Sequence, residues 1–274
     1  MIARVALVAV LAGASASGIV TVQLRPETLA AFEGYAARAE AQIRQEESSP
    51  KSFLAIPLVS APDNTDREVR LRRGEVLVDR RSVAPKEVPG GLIHHWMGTT
   101  FIPNTTITQV LSMLQDYDHL ARYYRPEVLT SGLISRNGDD FFISMRVSEH
   151  HVVSVVLDTE YRVHYGQLDA AHQYSFGRST RVAEIESVGE HDERSLPEGN
   201  DHGFLWRLNT YWRFVQVSDG VFVQCEAVSL TRDVPTGLGW LIGPFIENIP
   251  RESLQFTLSA TRAAALANRN QEGR

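Results

Sequence analysis

The stretch of sequence that decides the fold is FLWRLNTYWRFVQVSDGVFVQCEAVSLTR, residues 204–232. Two runs of alternating apolar and polar residues, 204–218 and 221–232, flank the dipeptide Asp219-Gly220. Such alternation is typical of strands with one buried face, and Asp-Gly favours a two-residue hairpin turn. The stretch therefore predicts a long antiparallel hairpin in which Ser218 pairs with Val221.

The predicted register gives the hairpin two different faces. It pairs Trp212 with Ala227, Phe214 with Cys225, Thr210 with Ser229, Arg213 with Glu226 and Tyr211 with Val228. On the tryptophan face a large side chain lies opposite a small one, as a packed surface requires. On the other face an arginine lies opposite a glutamate. Such a pair contributes about 0–1 kcal/mol at an exposed surface, whereas in a cavity it orients the polar end of a ligand.

The residues before the hairpin alternate between strand and helix patterns. Apolar residues at 107, 110, 111 and 114 have the spacing of one helical face. The predicted elements are a strand over 92–103, a helix over 107–117 capped within 104–106, strands over 127–136 and 139–148 around Asn137-Gly138, and strands over 152–165 and 174–188. An exposed loop over 189–203 leads into the hairpin.

An amphipathic helix follows the hairpin at the end of the chain. Pro250 stands where a helix begins, and apolar residues such as Leu254 and Leu258 repeat at helical spacing to about Asn268. The glycine-rich segment 236–249 before it contains Trp240 among apolar neighbours. Trp240 is interpreted either as part of a lid that touches membranes or as a residue packed against the helix.

A long antiparallel sheet, with a helix after its first strand and a long C-terminal helix, is an α+β arrangement. The segment 230–237, followed by Trp240-Leu241-Ile242 and Ile249-Pro250, resembles the connection before the last helix in START-like domains. The order of elements over 92–268 also resembles the helix-grip fold of that superfamily, which is known as SRPBCC. The resemblance implies a curved antiparallel sheet wrapped around the C-terminal helix, with a hydrophobic ligand between them. Members of the superfamily carry lipids, sterols or polyketides, and some are cyclases.

The N-terminus has the pattern of a signal peptide. Residues 1–16, MIARVALVAVLAGASA, contain Arg4, a short apolar run and a small-residue cleavage motif that ends at Ala16. The apolar run is too short to span a bilayer, which takes about 20 residues. We therefore expect an exported protein, periplasmic or secreted, that is cleaved near Ala16.

Residues 17–90 are predicted to form an N-terminal extension, followed by a START-like domain over 91–269 and a tail over 270–274. A helix over 26–45 begins with Pro26, which suits the first helical turn. A hairpin over 68–81 is predicted to turn near Arg73-Gly74, because apolar residues alternate on both sides of that dipeptide.

The composition of the 274 residues excludes several classes of protein. A hydrophobic fraction of 43% excludes a disordered chain, and a formal net charge of -6 argues against a nucleic-acid partner. The single cysteine, Cys225, excludes an intramolecular disulfide, a four-cysteine zinc site and a Rieske cluster, and we expect a buried, inert thiol. His94-His95 and His150-His151 are adjacent pairs, whose side chains point to opposite faces of a strand. We therefore expect no metal site and no cofactor.

The candidate ligand-binding residues come from the hairpin, the tyrosine-rich segment 117–124 and the glycine-rich segment. They are Tyr123, Tyr124, Trp206, Tyr211, Trp212, Arg213, Glu226 and Trp240. Trp206 and Trp212 are expected on one strand face, either in the core or lining the ligand. Glu226 is either a general base in the cavity or a structural charge, and we favour the second because Arg213 offers it a partner.

Three functions are compatible with these patterns. The first is the binding, with transfer, of a hydrophobic small molecule or lipid, helped by transient contact with a membrane. The second is a cofactor-independent polyketide cyclase-type enzyme that uses the same cavity. The third is a structural or interaction protein whose groove is filled by its own side chains. No residue is assigned a catalytic role, and binding is favoured over catalysis.

Overall fold

The structure is a computed structural model that describes residues 21–55, 62–81, 86–150, 154–233 and 239–272. The predicted signal peptide, residues 1–16, lies outside the described residues, and so does His151 of the second histidine pair. The helices of the described residues are α1 (Pro26–Glu47), α2 (Pro62–Arg72), α3 (Ile107–Gln115) and α4 (Gly239–Glu272), and a single 3-10 turn covers Leu120–Tyr123.

The strands of the described residues form one large antiparallel sheet and one small pair. They are β1 (Val22–Gln23), β2 (Leu77–Arg80), β3 (Lys86–Val88), β4 (Gly91–Pro103), β5 (Val128–Asn137), β6 (Asp140–His150), β7 (Ser154–Asp169), β8 (His172–Glu186), β9 (Arg194–Ser195), β10 (Asn200–Asp201), β11 (Arg207–Val217) and β12 (Gly220–Arg232). The large sheet has the order β2-β4-β12-β11-β8-β7-β6-β5, with β3 also beside β4 and β9 beside β8. The small pair joins β1 to β10.

The structure confirms the predicted α+β, helix-grip arrangement. The first long strand, β4, pairs with the last strand, β12, and α4 packs across this end of the sheet. A Cβ atom on Gly98 of β4 would collide with Leu258 Cδ1 of α4. Glycine at this position therefore lets the helix lie directly on the strand.

Both faces of the sheet are covered near β4, which is why nearly all of its residues are buried. We call the two sides the α4 face and the α1 face, after the helices that cover them. On the α4 face, Phe214 and Cys225 pack in one core with α3 and α4. On the α1 face, Phe32 and Ile43 of α1 pack against Val228. Side chains alternate between these faces along each strand.

The predicted hairpin occupies the centre of the sheet as β11 and β12, but its turn lies one residue earlier than predicted. Val217 pairs with Gly220, so Ser218-Asp219 forms the turn. Gly220 also pairs with Pro103 of β4, and a Cβ atom on it would collide with the carbonyl oxygen of Ile102. This glycine therefore serves the close approach of two strands rather than the turn.

The observed register corrects each predicted pair without moving any residue of the two strands to the other face. Trp212 lies opposite Cys225, Arg213 opposite Gln224 and Tyr211 opposite Glu226. Because the strands are displaced by two positions, an even number, each side chain keeps its predicted face. In the hairpin of β5 and β6 the turn instead lies one residue later than predicted, since Asn137 pairs with Asp140.

The predicted hairpin over 68–81 is wrong in its first arm. Residues 68–72 are the end of helix α2, the chain turns at Arg73-Gly74 as predicted, and the second arm is strand β2. Glu68 and Arg72 form an ion pair of 2.8 Å along the helix. Their spacing of four residues favours a helix, and two alternating apolar residues are too short a pattern to outweigh it.

Two further predictions are corrected by the backbone. Helix α4 begins at Gly239, well before Pro250, and continues to Glu272. Proline prefers the first helical turn but does not have to mark it. The segment 189–203 was predicted to be an exposed loop, yet it contains β9 and β10 and the fully buried Asp201. Its strand β10 pairs with β1, a partner from the distant N-terminal extension.

Candidate functional site

The α4 face is apolar and aromatic, and at Trp212 it is only partly covered. This residue lies in the middle of the sheet, opposite Cys225 on β12 and Ser175 on β8. Its ring is parallel to that of Phe214, with 6.2 Å between the ring centroids. Phe214 and Cys225 are fully buried, whereas Trp212 is partly exposed. Open space therefore adjoins the indole ring on the side of the sheet that faces α4.

Buried hydroxyl groups are the polar component of this face. The Tyr117 and Tyr165 hydroxyls lie 2.7 Å apart, and the Tyr124 hydroxyl lies 2.7 Å from Thr261 Oγ1 of α4. Burial raises the pKa of Tyr117, Tyr124 and Tyr165 well above the usual value for a phenol. These tyrosines therefore stay neutral and offer hydrogen bonds rather than charge.

Tyr123 links the 3-10 turn to the far part of α4. Its hydroxyl accepts a hydrogen bond of 2.8 Å from Asn268 Nδ2, and its ring is partly exposed. The guanidinium of Arg122 lies 4.5 Å from the centre of that ring. Tyr123 and Tyr124, both predicted ligand residues, thus contact α4 directly and lie on the same side of the sheet as Trp212.

Two carboxyl groups, which sequence reasoning missed, lie near the start of β5 and the end of β6. Glu127 is partly buried, and burial together with the nearby charge of Glu149 raises its pKa to about 8. Glu149 accepts a hydrogen bond of 3.0 Å from Ser253 of α4. The pairing of β5 with β6 brings the two glutamates together, and no local sequence pattern marks it. At neutral pH Glu127 is therefore mostly a protonated carboxyl group.

The other described candidates, Trp206, Tyr211, Arg213 and Glu226, do not lie on the α4 face. Trp206 and Tyr211 pack against α1, and the expectation that Trp206 shares a face with Trp212 is wrong. Trp206 precedes the first residue of β11, so strand alternation does not extend to it. Its indole Nε1 donates a hydrogen bond of 2.9 Å to Asp201. The side chain of Trp240 lies outside the described residues.

Arg213 is the centre of a buried charge network beneath α1. Its guanidinium donates to Glu46 at 2.7 Å and to Glu47 at 3.3 Å, both at the end of α1. It also donates to Gln224 Oε1 at 3.0 Å, directly across the strand pair. Glu226, its predicted partner, lies diagonally at 3.6 Å. The predicted ion pair thus exists, but α1 supplies the shorter contacts.

The ionisation of the network follows from its geometry. Burial alone would raise the pKa of Glu226, but a hydrogen bond from His95 and the charges of Arg81 and Arg213 hold that pKa below its usual value. Glu226 Oε1 lies 2.6 Å from His95 Nε2 and 3.2 Å from Arg81 Nε. Burial raises the pKa of Glu47 to about 7, because Arg213 offsets it only in part.

A cavity of about 210 Å³ opens between α1 and the sheet beside this network. It is lined by Tyr35, Arg38, Ala39, Gln42, Arg81 and His95. Sequence reasoning treated His95 only as a member of a histidine pair and did not single out Tyr35 or Arg81. The sequence does place Tyr35 on the apolar face of the predicted helix over 26–45. Because this face packs on the sheet, the Tyr35 hydroxyl reaches His95.

Metal-binding clusters and membrane-crossing helices are both absent from the described residues. No group of three or more His, Cys, Asp or Glu side chains among them is arranged to hold a metal ion. None of the helices in the described ranges combines the length and apolar character that crossing a membrane requires. Cys225 is fully buried, and burial raises the pKa of its thiol, which confirms the predicted buried thiol.

The antiparallel order from β4 through β12, with α4 packed across β4 and β12, is the helix-grip arrangement of an α+β fold. No protein-family model matches the sequence, and no curated protein matches it. Among solved structures, the chain is similar to a STAR-related lipid transfer protein from Xanthomonas axonopodis, with 18% identity, a TM-score of 0.42, and coverage of 66% of this chain and 96% of that one.

Two further solved structures have comparable similarity. A START superfamily protein from Mycobacterium smegmatis is 13% identical, with a TM-score of 0.43 and coverage of 64% of this chain and 98% of the other. The Zhui aromatase/cyclase from a Streptomyces species is 12% identical, with a TM-score of 0.42 and coverage of 63% and 93%.

Proposed function

We propose that the chain is an exported START-like domain that binds, and transfers, a hydrophobic small molecule or lipid between the sheet and α4. The observation that carries this proposal is the partial exposure of Trp212 in the middle of the largely apolar face between the sheet and α4. Ligand sites are apolar spaces in which a few placed polar groups fix orientation. The buried hydroxyls of Tyr117, Tyr124 and Tyr165 meet the second condition.

In this proposal the ligand stacks on Trp212, and apolar contact supplies most of the affinity. Tyr124 and the neutral carboxyl group of Glu127 orient the polar end of the ligand by hydrogen bonds. Tyr123 holds the far part of α4, and Trp240 belongs to a lid that makes transient contact with a membrane. Of the residues predicted as ligand contacts, Trp206, Tyr211, Arg213 and Glu226 lie on the other face of the sheet, where they anchor α1.

Ligand binding is tested by Trp212→Ala in a titration with a fluorescent fatty acid. Loss of the indole removes apolar contact of about 1.5–3 kcal/mol, so we expect affinity to fall by about 10- to 100-fold. Phe142→Ala is the matched control, because Phe142 is a partly exposed aromatic residue stacked with Arg162 away from α4. The absence of saturable uptake by the wild-type protein, together with the absence of co-purified lipid in native mass spectrometry, would contradict ligand binding. It would show instead that side chains of the protein fill the groove.

A cyclase-type enzyme at the same site is the second candidate, and Glu127 is the observation that favours it. A carboxyl group with a pKa of about 8 is a competent proton donor at neutral pH. Glu127→Gln keeps the size and the hydrogen-bond acceptor but removes the acidic proton. The second function would be established if the wild-type protein turns over a poly-β-ketone substrate and Glu127→Gln abolishes this turnover. The affinity of the variant for the ligand should remain unchanged.

The proposal includes export and a three-part mature chain. Residues 1–16 act as the signal peptide, 17–90 as an extension that packs on the sheet, 91–269 as the START-like domain and 270–274 as its tail. The small-residue motif that ends at Ala16 supports this assignment. We expect the intact mass of the exported protein to be that of a chain that begins at Ser17. The mass of the full-length chain in the exported fraction would contradict cleavage.

A further inference from the structure

Three side chains connect a buried carboxylate to the cavity beneath α1. Glu226 Oε1 lies 2.6 Å from His95 Nε2, and His95 Nδ1 lies 2.9 Å from the hydroxyl of Tyr35. Exposure increases along this series, from 2% for the Glu226 side chain and 8% for that of His95 to the partly exposed Tyr35. Both His95 and Tyr35 line the cavity. The series therefore runs from the interior of the protein to an open space.

The ionised state of Glu226 fixes which imidazole nitrogen carries the proton. A carboxylate only accepts hydrogen bonds, so Nε2 of His95 must donate to it. In the neutral imidazole the other nitrogen, Nδ1, then has a free lone pair and accepts the hydrogen bond of the Tyr35 hydroxyl. A hydroxyl held by a base, which is itself oriented by a third group, is the arrangement that activates nucleophiles.

Cationic side chains line the same cavity as Tyr35 and approach its ring. Arg38 and Arg81 line the cavity, and the ammonium of Lys86 lies 5.7 Å from the centre of the Tyr35 ring. The nearby Glu46 carboxylate accepts hydrogen bonds from both Arg81 and Arg213. Its charge is therefore compensated, as is much of the charge of Arg81, and Arg38 and Lys86 add the positive charge that favours a developing negative charge on the phenol oxygen.

We propose that Tyr35 is a nucleophile activated by His95, with Glu226 as the positioning residue, and that the cavity accepts the acyl group of a small ester or thioester. The site is separate from the proposed hydrophobic-ligand site, because the sheet lies between them. A cavity of about 210 Å³ fits an acyl group of a few carbon atoms. Acyl transfer is favoured because it uses a nucleophile, a base in contact with it and donors for one oxyanion, and Tyr35, His95 and the cavity arginines are placed for these roles.

The reaction proceeds by transfer of the acyl group to the phenol. As the Tyr35 oxygen bonds to the acyl carbon, its proton passes to His95 Nδ1, and the oxyanion faces Arg38 and Arg81. The bond to the alcohol or thiol then breaks, and this leaving group takes the proton from Nδ1. Water, deprotonated by the same nitrogen, attacks the acyl tyrosine, releases the carboxylic acid and restores the phenol. Glu226 remains ionised throughout.

The proposal is tested with 4-nitrophenyl acetate and wild-type protein. We expect release of nitrophenolate together with an acetyl group that peptide mass spectrometry maps to Tyr35. The chain has only two lysines, Lys51 and Lys86, which keeps competing acetylation low. Acetyl groups found on these lysines but not on Tyr35 would overturn the proposal. This mapping needs no variant, so it decides the question even if a substitution prevents folding.

Variants then separate the nucleophile, the base and the positioning residue. Tyr35→Phe and His95→Gln should each lower the rate of nitrophenolate release by about 100-fold. Tyr174→Phe is the matched control, because Tyr174 is a partly buried tyrosine of β8 packed edge-on against Phe176. Glu226→Gln should lower the rate, and Glu226→Asp should restore part of it. An equal rate in His95→Gln and wild-type protein would contradict the role of the base.

Discussion

Glu47 and Glu226 contact the same guanidinium, that of Arg213, yet their pKa values are shifted in opposite directions. Glu226 also receives a hydrogen bond from His95 and lies beside Arg81, so its pKa is held below the usual value despite its burial. Glu47 contacts Arg213 at 3.3 Å, which offsets its burial only in part, so burial raises its pKa to about 7. Ionisation of Glu47 therefore opposes folding.

Glu47→Gln should stabilise the protein at high pH. A carboxyl group whose pKa is raised on folding contributes its stability below its usual pKa and loses it as pH rises towards the folded pKa of about 7. Glutamine keeps an acceptor for Arg213 and cannot ionise. We expect urea unfolding to give a gain of about 1–3 kcal/mol at pH 8 and little change at pH 5.

Glu33→Gln is the matched control for this prediction, because Glu33 is an exposed glutamate on the same helix. Its substitution should change stability by less than about 0.5 kcal/mol at both pH values. A gain in Glu47→Gln that is the same at pH 5 and pH 8 would show that packing, and not ionisation, is responsible.

At the scale of elements, the close approach of α4 to β4 depends on one glycine, which has no side chain. Gly98 lies where a Cβ atom would collide with Leu258 Cδ1, and Leu258 is fully buried. A buried leucine has few alternative rotamers, so either the helix must move or the core must strain. The close packing of α4 on β4 thus requires a glycine in the interior of a long strand.

Gly98→Ala should destabilise the protein by about 1–3 kcal/mol, the usual cost of an added methyl group in a packed core. The measurement is the free energy of unfolding in urea. Gly132→Ala is the matched control, because the nearest atoms to a Cβ there, on Asp118 and Ser144, are 3.8 Å away. Equal effects of the two substitutions would contradict the close contact between β4 and α4.

The elements that the sequence predicted well are those with a long local pattern. Helix α1, helix α3 and the long strands of the large sheet, β4 to β8, β11 and β12, each carry enough periodic residues to identify them. Strand register was less accurate, because the glycine of Asp219-Gly220 is required by the neighbouring strand and not by the turn. The pattern over 68–72 was too short to separate helix from strand.

The polar network could not be predicted beyond the pair Arg213 and Glu226. Its other members, such as Glu46, Arg81 and His95, come from α1, from the residue after β2 and from β4. These side chains meet only because the N-terminal extension packs on the sheet. Long-range packing of this kind can be predicted from a sequence only where both partners carry a local pattern. The glutamates at 127 and 149 were missed for the same reason.

At the scale of the whole molecule, the sheet separates two environments of different chemistry. The α4 face is apolar and carries neutral hydroxyls, whereas the α1 face carries a buried network of ionised side chains. The N-terminal extension contributes α1 and the strands β2 and β3 to this arrangement, so it completes the second face. A hydrophobic ligand is therefore expected on the α4 face.

The most direct test of this account is an NMR measurement of contacts between a ¹³C-labelled fatty acid and the protein. We predict intermolecular NOEs from the acyl chain to the indole ring of Trp212, with none to the indole of Trp206 on the opposite face. Saturable binding with NOEs to Trp206 and none to Trp212, or no saturable binding, would contradict a ligand site between the sheet and α4.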